Sequence, residues 1–108
     1  MDFVKVANTV DIPAGGMKGV RFGSDDILIV NVGGKYCAIA GLCTHRQGVL
    51  ADGKLEGSTV TCPRHGSTFD VTTGKSIAGP KVLGFRGKTS DQQVFEVKVE
   101  GSDIFVKI

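Results

Sequence analysis

Apolar and polar residues alternate with a period of two in FVKVA (3–7) and, briefly, in GVRFG (19–23), whereas ILIVNV (27–32) is a continuous apolar run of β-branched type. Both patterns predict strands rather than helices. Gly33-Gly34 separates that run from KYCAIA (35–40), and glycine accepts the positive φ angles that two-residue hairpin turns need, so a hairpin is expected over 27–40. VFEVKVE (94–100) sets Phe95, Val97 and Val99 on one face of a strand and Glu96, Lys98 and Glu100 on the other. Gly101-Ser102-Asp103 then turns into IFVKI, which predicts a second hairpin over 93–108. Between the hairpins, residues 41–80 are rich in Gly, Thr and Ser and hold only short strand candidates, STVTC and STFDV. The expected architecture is all-β: packed antiparallel sheets with a loop-built subdomain inserted between them.

Composition supports this picture. The 108 residues suit one domain, and 16 glycines with six phenylalanines, one tyrosine and no tryptophan fit short strands joined by tight turns. Thirteen basic and 11 acidic residues are interspersed and leave a formal charge of +2, too weak a field to imply a nucleic-acid partner. No apolar run approaches the roughly 20 residues of a membrane span, and MDFVKVANTV has neither the basic segment nor the cleavage site of a secretory signal. A cytoplasmic chain is expected, and in that setting three cysteines, an odd number, argue against a disulfide framework.

Both histidines and two of the three cysteines fall in the middle segment, as Cys43-Thr-His45 and Cys62-Pro-Arg-His65. Each pair is short enough for its two side chains to converge from one loop, so two loops offer four soft or borderline metal ligands. Isolated buried thiols and core histidines would not concentrate in this way. A thiolate nucleophile with its histidine base would leave the duplicate pair unexplained. A structural zinc site forming an interaction module is the serious alternative, because two Cys and two His make a sound tetrahedral set. Zinc fingers, however, group Cys with Cys and His with His, whereas each loop here contributes one of each. Cys37, in the strand-like YCAIA, reads as a small buried hydrophobe.

The two loops, Cys43-Thr-His45 and Cys62-Pro-Arg-His65-Gly66-Ser67, resemble the signature of the Rieske [2Fe–2S] proteins. Leu50, Phe69-Asp70, Gly74 and Pro80 extend the likeness. The resemblance implies one [2Fe–2S] cluster per chain, with Cys43 and Cys62 on one iron and His45 and His65 on the other. It also implies a Rieske-like antiparallel β-sandwich over 1–108, with a cluster-binding subdomain at about 41–80 and a β framework of 1–40 and 81–108. Neutral imidazoles in place of two thiolates leave less negative charge to oppose reduction. Such centres accordingly lie at about −150 to +300 mV, against about −400 mV for all-cysteine plant-type clusters.

Departures from the family pattern narrow the expectation. Rieske proteins of the cytochrome complexes carry one further Cys in each loop, joined in a disulfide, and a membrane anchor. Gly48 and Arg64 stand at the corresponding positions here, which points to the ferredoxins that serve oxygenases. The chain is then expected to be an electron-transfer protein without catalysis of its own, reduced by a flavin-containing reductase and oxidised by a terminal oxygenase or similar acceptor. A small electron-transfer subunit of a larger reductase or oxidase complex is the alternative within the family. Ser67 stands where high-potential members donate a hydrogen bond to the cluster, but Phe69 replaces their tyrosine, which places the potential in the lower or middle part of the range. Arg46 and Arg64 flank the ligand histidines, either as a cationic docking tip or as ordinary solvated loop charges. Gly48, Gly53, Gly66 and Gly74 are expected to serve turns and close backbone approach to the sulfides.

Overall fold

A computed structural model describes residues 2–43, 48–64, 66–79, 81–82, 85–86 and 90–108. It contains thirteen strands and two short 3-10 turns, at Thr9–Asp11 and Leu50–Asp52, and no α-helix among the described residues. In chain order the strands are β1 (Phe3–Asn8), β2 (Met17–Phe22), β3 (Asp25–Val32), β4 (Lys35–Ala40), β5 (Lys54–Glu56), β6 (Thr59–Thr61) and β7 (Thr68–Asp70). They continue as β8 (Ser76–Ala78), β9 (Lys81–Val82), β10 (Phe85–Arg86), β11 (Val94–Phe95), β12 (Val97–Glu100) and β13 (Asp103–Lys107). Every pairing among the described residues is antiparallel: a framework sheet of order β11-β4-β3-β2, a three-stranded sheet β1-β13-β12, a second four-stranded sheet β5-β6-β7-β8, and the ribbon β9-β10.

The expected hairpin over 27–40 is β3 and β4, closed between Val32 and Lys35. Gly33 and Gly34 have φ of 59° and 97°, values that a β-carbon would oppose. The middle of β3, Ile27–Val30, is apolar without interruption because both faces of the strand are covered there. Leu28 and Val30 point into one core with Ile39, Leu50, Val60, Phe69, Val71 and the two cysteines Cys43 and Cys62. Ile27 and Ile29 point into another, with Ala7, Ile12, Ala38, Phe95, Ile104 and Val106. The first core joins the framework sheet to the β5–β8 sheet, and the second joins it to the β1-β13-β12 sheet. Each of these fully buried aliphatic side chains contributes about 1.5–3 kcal/mol through area removed from water, so β3 anchors all three layers. Buried Asn31 secures its far end: its Nδ2 donates to the Ile12 carbonyl at 2.9 Å, and its Oδ1 accepts from the Gly34 N–H at 2.7 Å.

One expectation needs correction. Residues 94–100 do not form one strand, because the chain leaves the framework sheet at Glu96: β11 pairs with β4 before it, and β12 pairs with β13 after it. Phe95 is buried, but Val99, on the same face by alternation, is 43% exposed. The short strands expected at STVTC and STFDV are β6 and β7, and β5 and β8 flank them in one sheet.

Candidate cluster-binding site

Each cysteine follows directly on a strand-like pairing that ends beside a loop closed on itself. In the first loop, Leu42 bridges to Val49. The Cys43 N–H then donates to the Gly48 carbonyl at 2.8 Å, and the Leu50 N–H donates to the Gly41 carbonyl at 3.0 Å. In the second loop, Thr61 pairs with Thr68, and the Cys62 N–H donates to the Ser67 carbonyl at 2.7 Å. The Gly66 N–H donates to the Cys62 carbonyl at 3.2 Å, with Gly66 at a φ of 78° that suits glycine. Both stems therefore present a cysteine at the first position of a loop whose base is held by backbone hydrogen bonds.

The loops meet at Gly48. A β-carbon on that residue would lie 2.6 Å from Cys62 Sγ and 3.2 Å from Arg64 Cγ, so only glycine lets the first loop pass the second cysteine. Positions 48 and 64, where the cytochrome-complex proteins have their extra cysteines, are thus neighbours in space, with exposed Arg64 laying its stem against the glycine. Cys43 and Cys62 are both buried and share one apolar core with fully buried Phe69. No disulfide joins any of the three cysteines. Cys37 is buried as expected, and burial pushes its thiol pKa up, which keeps it protonated and inert.

Ser67 is 1% exposed, and its Oγ has no hydrogen-bond partner among the described residues. A buried hydroxyl without a partner costs about 1–3 kcal/mol, so its place at the base of the Cys62 loop, where the Ser67 carbonyl accepts from the Cys62 N–H, fits a group that accepts a hydrogen bond there. The donor set agrees. Two thiols without a disulfide, in loops that also carry the histidines, are the ligands that an iron–sulfur centre with mixed Cys and His ligation needs. The residues present fit a [2Fe–2S] cluster.

The other expected site residues divide. His45, Arg46, His65 and Pro80 lie outside the described residues. Gly53 and Gly74 do make close backbone approaches, but to protein: a β-carbon on Gly53 would run into the Thr61 carbonyl, and one on Gly74 into the Gln92 carbonyl. Gly74, at a φ of 75°, serves the turn after β7 as expected and packs there against the segment before β11. Gln92 itself was missed. It is buried at 4% exposure, and its Nε2 donates to the carbonyls of Ala40 at 2.9 Å and Leu42 at 2.7 Å. Nothing in the sequence distinguishes it from Gln93, whose side chain is exposed.

Fold and site together define an all-β protein in which two loop stems each present a buried cysteine to one shared core. Residues 2–85 match the model of the Rieske [2Fe-2S] domain, and the chain belongs to that family. It is 34% identical over 107 residues to the ferredoxin component of the naphthalene 1,2-dioxygenase/salicylate 5-hydroxylase systems of a Ralstonia species, covering 99% of this chain and 96% of the relative. It is likewise 34% identical over 108 residues to the ferredoxin component of biphenyl 2,3-dioxygenase from Rhodococcus jostii RHA1, covering 100% and 94%. Among solved structures it matches a chain in the complex of reduced oxygenase and oxidised ferredoxin of carbazole 1,9a-dioxygenase, with a TM-score of 0.84 and 31% identity over 96% of this chain and 91% of that one. The carbazole 1,9a-dioxygenase ferredoxin of Nocardioides aromaticivorans IC177 follows with a TM-score of 0.80 and 28% identity, covering 98% and 97%.

Proposed function

We propose that Cys43 and Cys62 hold one iron of the [2Fe–2S] cluster and His45 and His65 the other, with residues of about 41–80 forming the cluster-binding subdomain of a single domain. The chain is a one-electron carrier of the kind that serves dioxygenase systems, and it passes electrons to a terminal oxygenase or similar acceptor rather than transforming a substrate itself. Its near full-length likeness to ferredoxin components of such systems supports this role. We assign the upstream donor to a flavin-containing reductase, and the site of action to the cytoplasm. No helix among the described residues is long and apolar enough to cross a membrane.

The observation that carries the assignment is the meeting of the two loops at Gly48, which brings the Cys62 sulfur against the first loop while Cys43 shares its core. When bound, the cluster supplies a one-electron redox couple. The protein's residues then have separate duties. Cys43 and Cys62 provide thiolates from stems held by backbone hydrogen bonds, the buried Ser67 hydroxyl is available as a donor to the cluster, and Phe69 fills the apolar core that holds both cysteines. Phe69 brings no hydroxyl of its own, which supports a potential in the lower or middle part of the Rieske range.

Anaerobic purification with metal and sulfide analysis tests the assignment. About two irons and two sulfides per chain are expected, with a reddish-brown colour, and Cys43→Ala or Cys62→Ala should abolish both. A colourless protein with one tightly bound zinc would overturn it in favour of a structural module on the same ligands.

A further inference from the structure

Ala40 closes β4, and Leu42 immediately precedes Cys43 while bridging to Val49 on the other side of the first loop. The two protons of the Gln92 carboxamide are directed to the carbonyls of these residues, at 2.9 Å and 2.7 Å. The backbone around Gln92 is tied in two further directions. The Ala40 N–H donates to the Gln93 carbonyl at 2.8 Å, so the segment also grips β4 through its main chain. The Gln92 N–H donates to the Gly74 carbonyl at 2.7 Å, and the Gly74 N–H donates to the Asp70 carbonyl at 2.7 Å. Asp70 ends β7, the strand that leaves the second cysteine loop at Thr68. Asp91 adds another link, its Oδ1 accepting from the Ser76 N–H of β8 at 2.8 Å. The short segment 91–93 thus clasps the stem of the first cysteine loop with one hand and the turn that follows the second loop with the other. Gly74 has no β-carbon to block that approach, since one would collide with the Gln92 carbonyl.

We propose that Gln92 is a positioning residue for the cluster cage, whose buried carboxamide fixes the backbone leading into Cys43 and, through its main chain and Gly74, sets the first loop against the second. The proposal rests on the reading that Cys43 is an iron ligand. A neutral amide suits this place because both of its protons are donors and it carries no charge that would need a counterion in a buried setting. The hydrogen bonds act where displacement is felt most, one residue from a ligand, much as partners behind metal ligands control orientation and affinity.

The test uses the holoprotein. Gln92→Met preserves length and apolar bulk while removing both donors. Three readouts are followed: loss of visible absorption in excess chelator, the reduced-state EPR g values, and the reduction potential. Iron should leave about tenfold faster than from the unaltered protein, with shifted or broadened g values, whereas Gln93→Met, changed at an exposed side chain, should match the unaltered protein. Should Gln92→Met not fold, Gln92→Asn keeps an amide one methylene short and should show the same changes at smaller size. Iron loss, g values and potential all unchanged in a folded Gln92 variant would overturn the proposal, even if the denaturation midpoint had fallen, because that outcome describes a merely structural residue. Cys43→Ala separates the two readings: if it retains the cluster, the ligand assignment fails, and if it loses the cluster while Gln92→Met is silent, only the positioning role does.

Discussion

Ser67→Ala gives the most direct test of what the buried hydroxyl is for. The serine Oγ is buried and has no partner among the described residues, so its removal deletes no hydrogen bond made to a described part of the protein. If it donates to a cluster sulfur, the bond strengthens as negative charge increases, and the reduced state loses more from its removal than the oxidised state. A net hydrogen bond is worth about 0.5–1.5 kcal/mol, and one to a charged group about 1.5–3 kcal/mol. A difference of about 1–2 kcal/mol between the redox states is the resulting expectation, which for one electron is about 45–85 mV at 59 mV per tenfold change in equilibrium constant. Voltammetry should therefore show Ser67→Ala lower by that amount, while guanidinium unfolding of the holoprotein changes by no more than about 1 kcal/mol. A potential within 10 mV or so of the unaltered protein's, accompanied by a stability loss above about 2 kcal/mol, would refute the reasoning. It would show that the hydroxyl serves the protein and not the cofactor.

Gly48→Ala should lower the iron content of purified protein, because the new methyl would lie 2.6 Å from Cys62 Sγ and one of the two loops must move; metal analysis of the folded variant checks this. Phe69→Ala should cost about 3–5 kcal/mol in denaturant unfolding, since a fully buried ring is removed from the core that also holds Cys43 and Cys62. Hydrogen bonds from the Thr72 hydroxyl and N–H lower the pKa of Asp70. A carboxylate with a depressed folded-state pKa stabilises the fold above its unfolded value, near 3.9, and that contribution disappears as pH falls through the folded value. Asp70→Asn should therefore have lower stability than the unaltered protein at neutral pH and lose less of it on acidification below about pH 4, as measured by thermal unfolding across a pH series.

How much of this was legible beforehand depended on whether a feature is local. The hairpin over 27–40 is local: two glycines between apolar runs require positive φ, and the register follows. The cysteine loops were legible for a chemical reason, since Cys and His at short spacing have few uses other than binding metal. The sheet change at Glu96 was not legible, because strict alternation through 94–100 describes the faces of a strand and says nothing of which neighbour it pairs with. Val99 obeys the same alternation as Phe95, but it belongs to a different sheet and lies half in solvent. Gly74 shows the same limit from another side. Its φ of 75° was within reach of sequence reasoning, but its collision partner, the Gln92 carbonyl, is separated from it by the strands β8, β9 and β10. What places one cage loop against the other is therefore written partly outside both loops. Variation at Gln92 should alter iron retention without touching any residue of the Cys-X-His or Cys-X-X-His pairs, so ligand spacing alone is an incomplete description of this site.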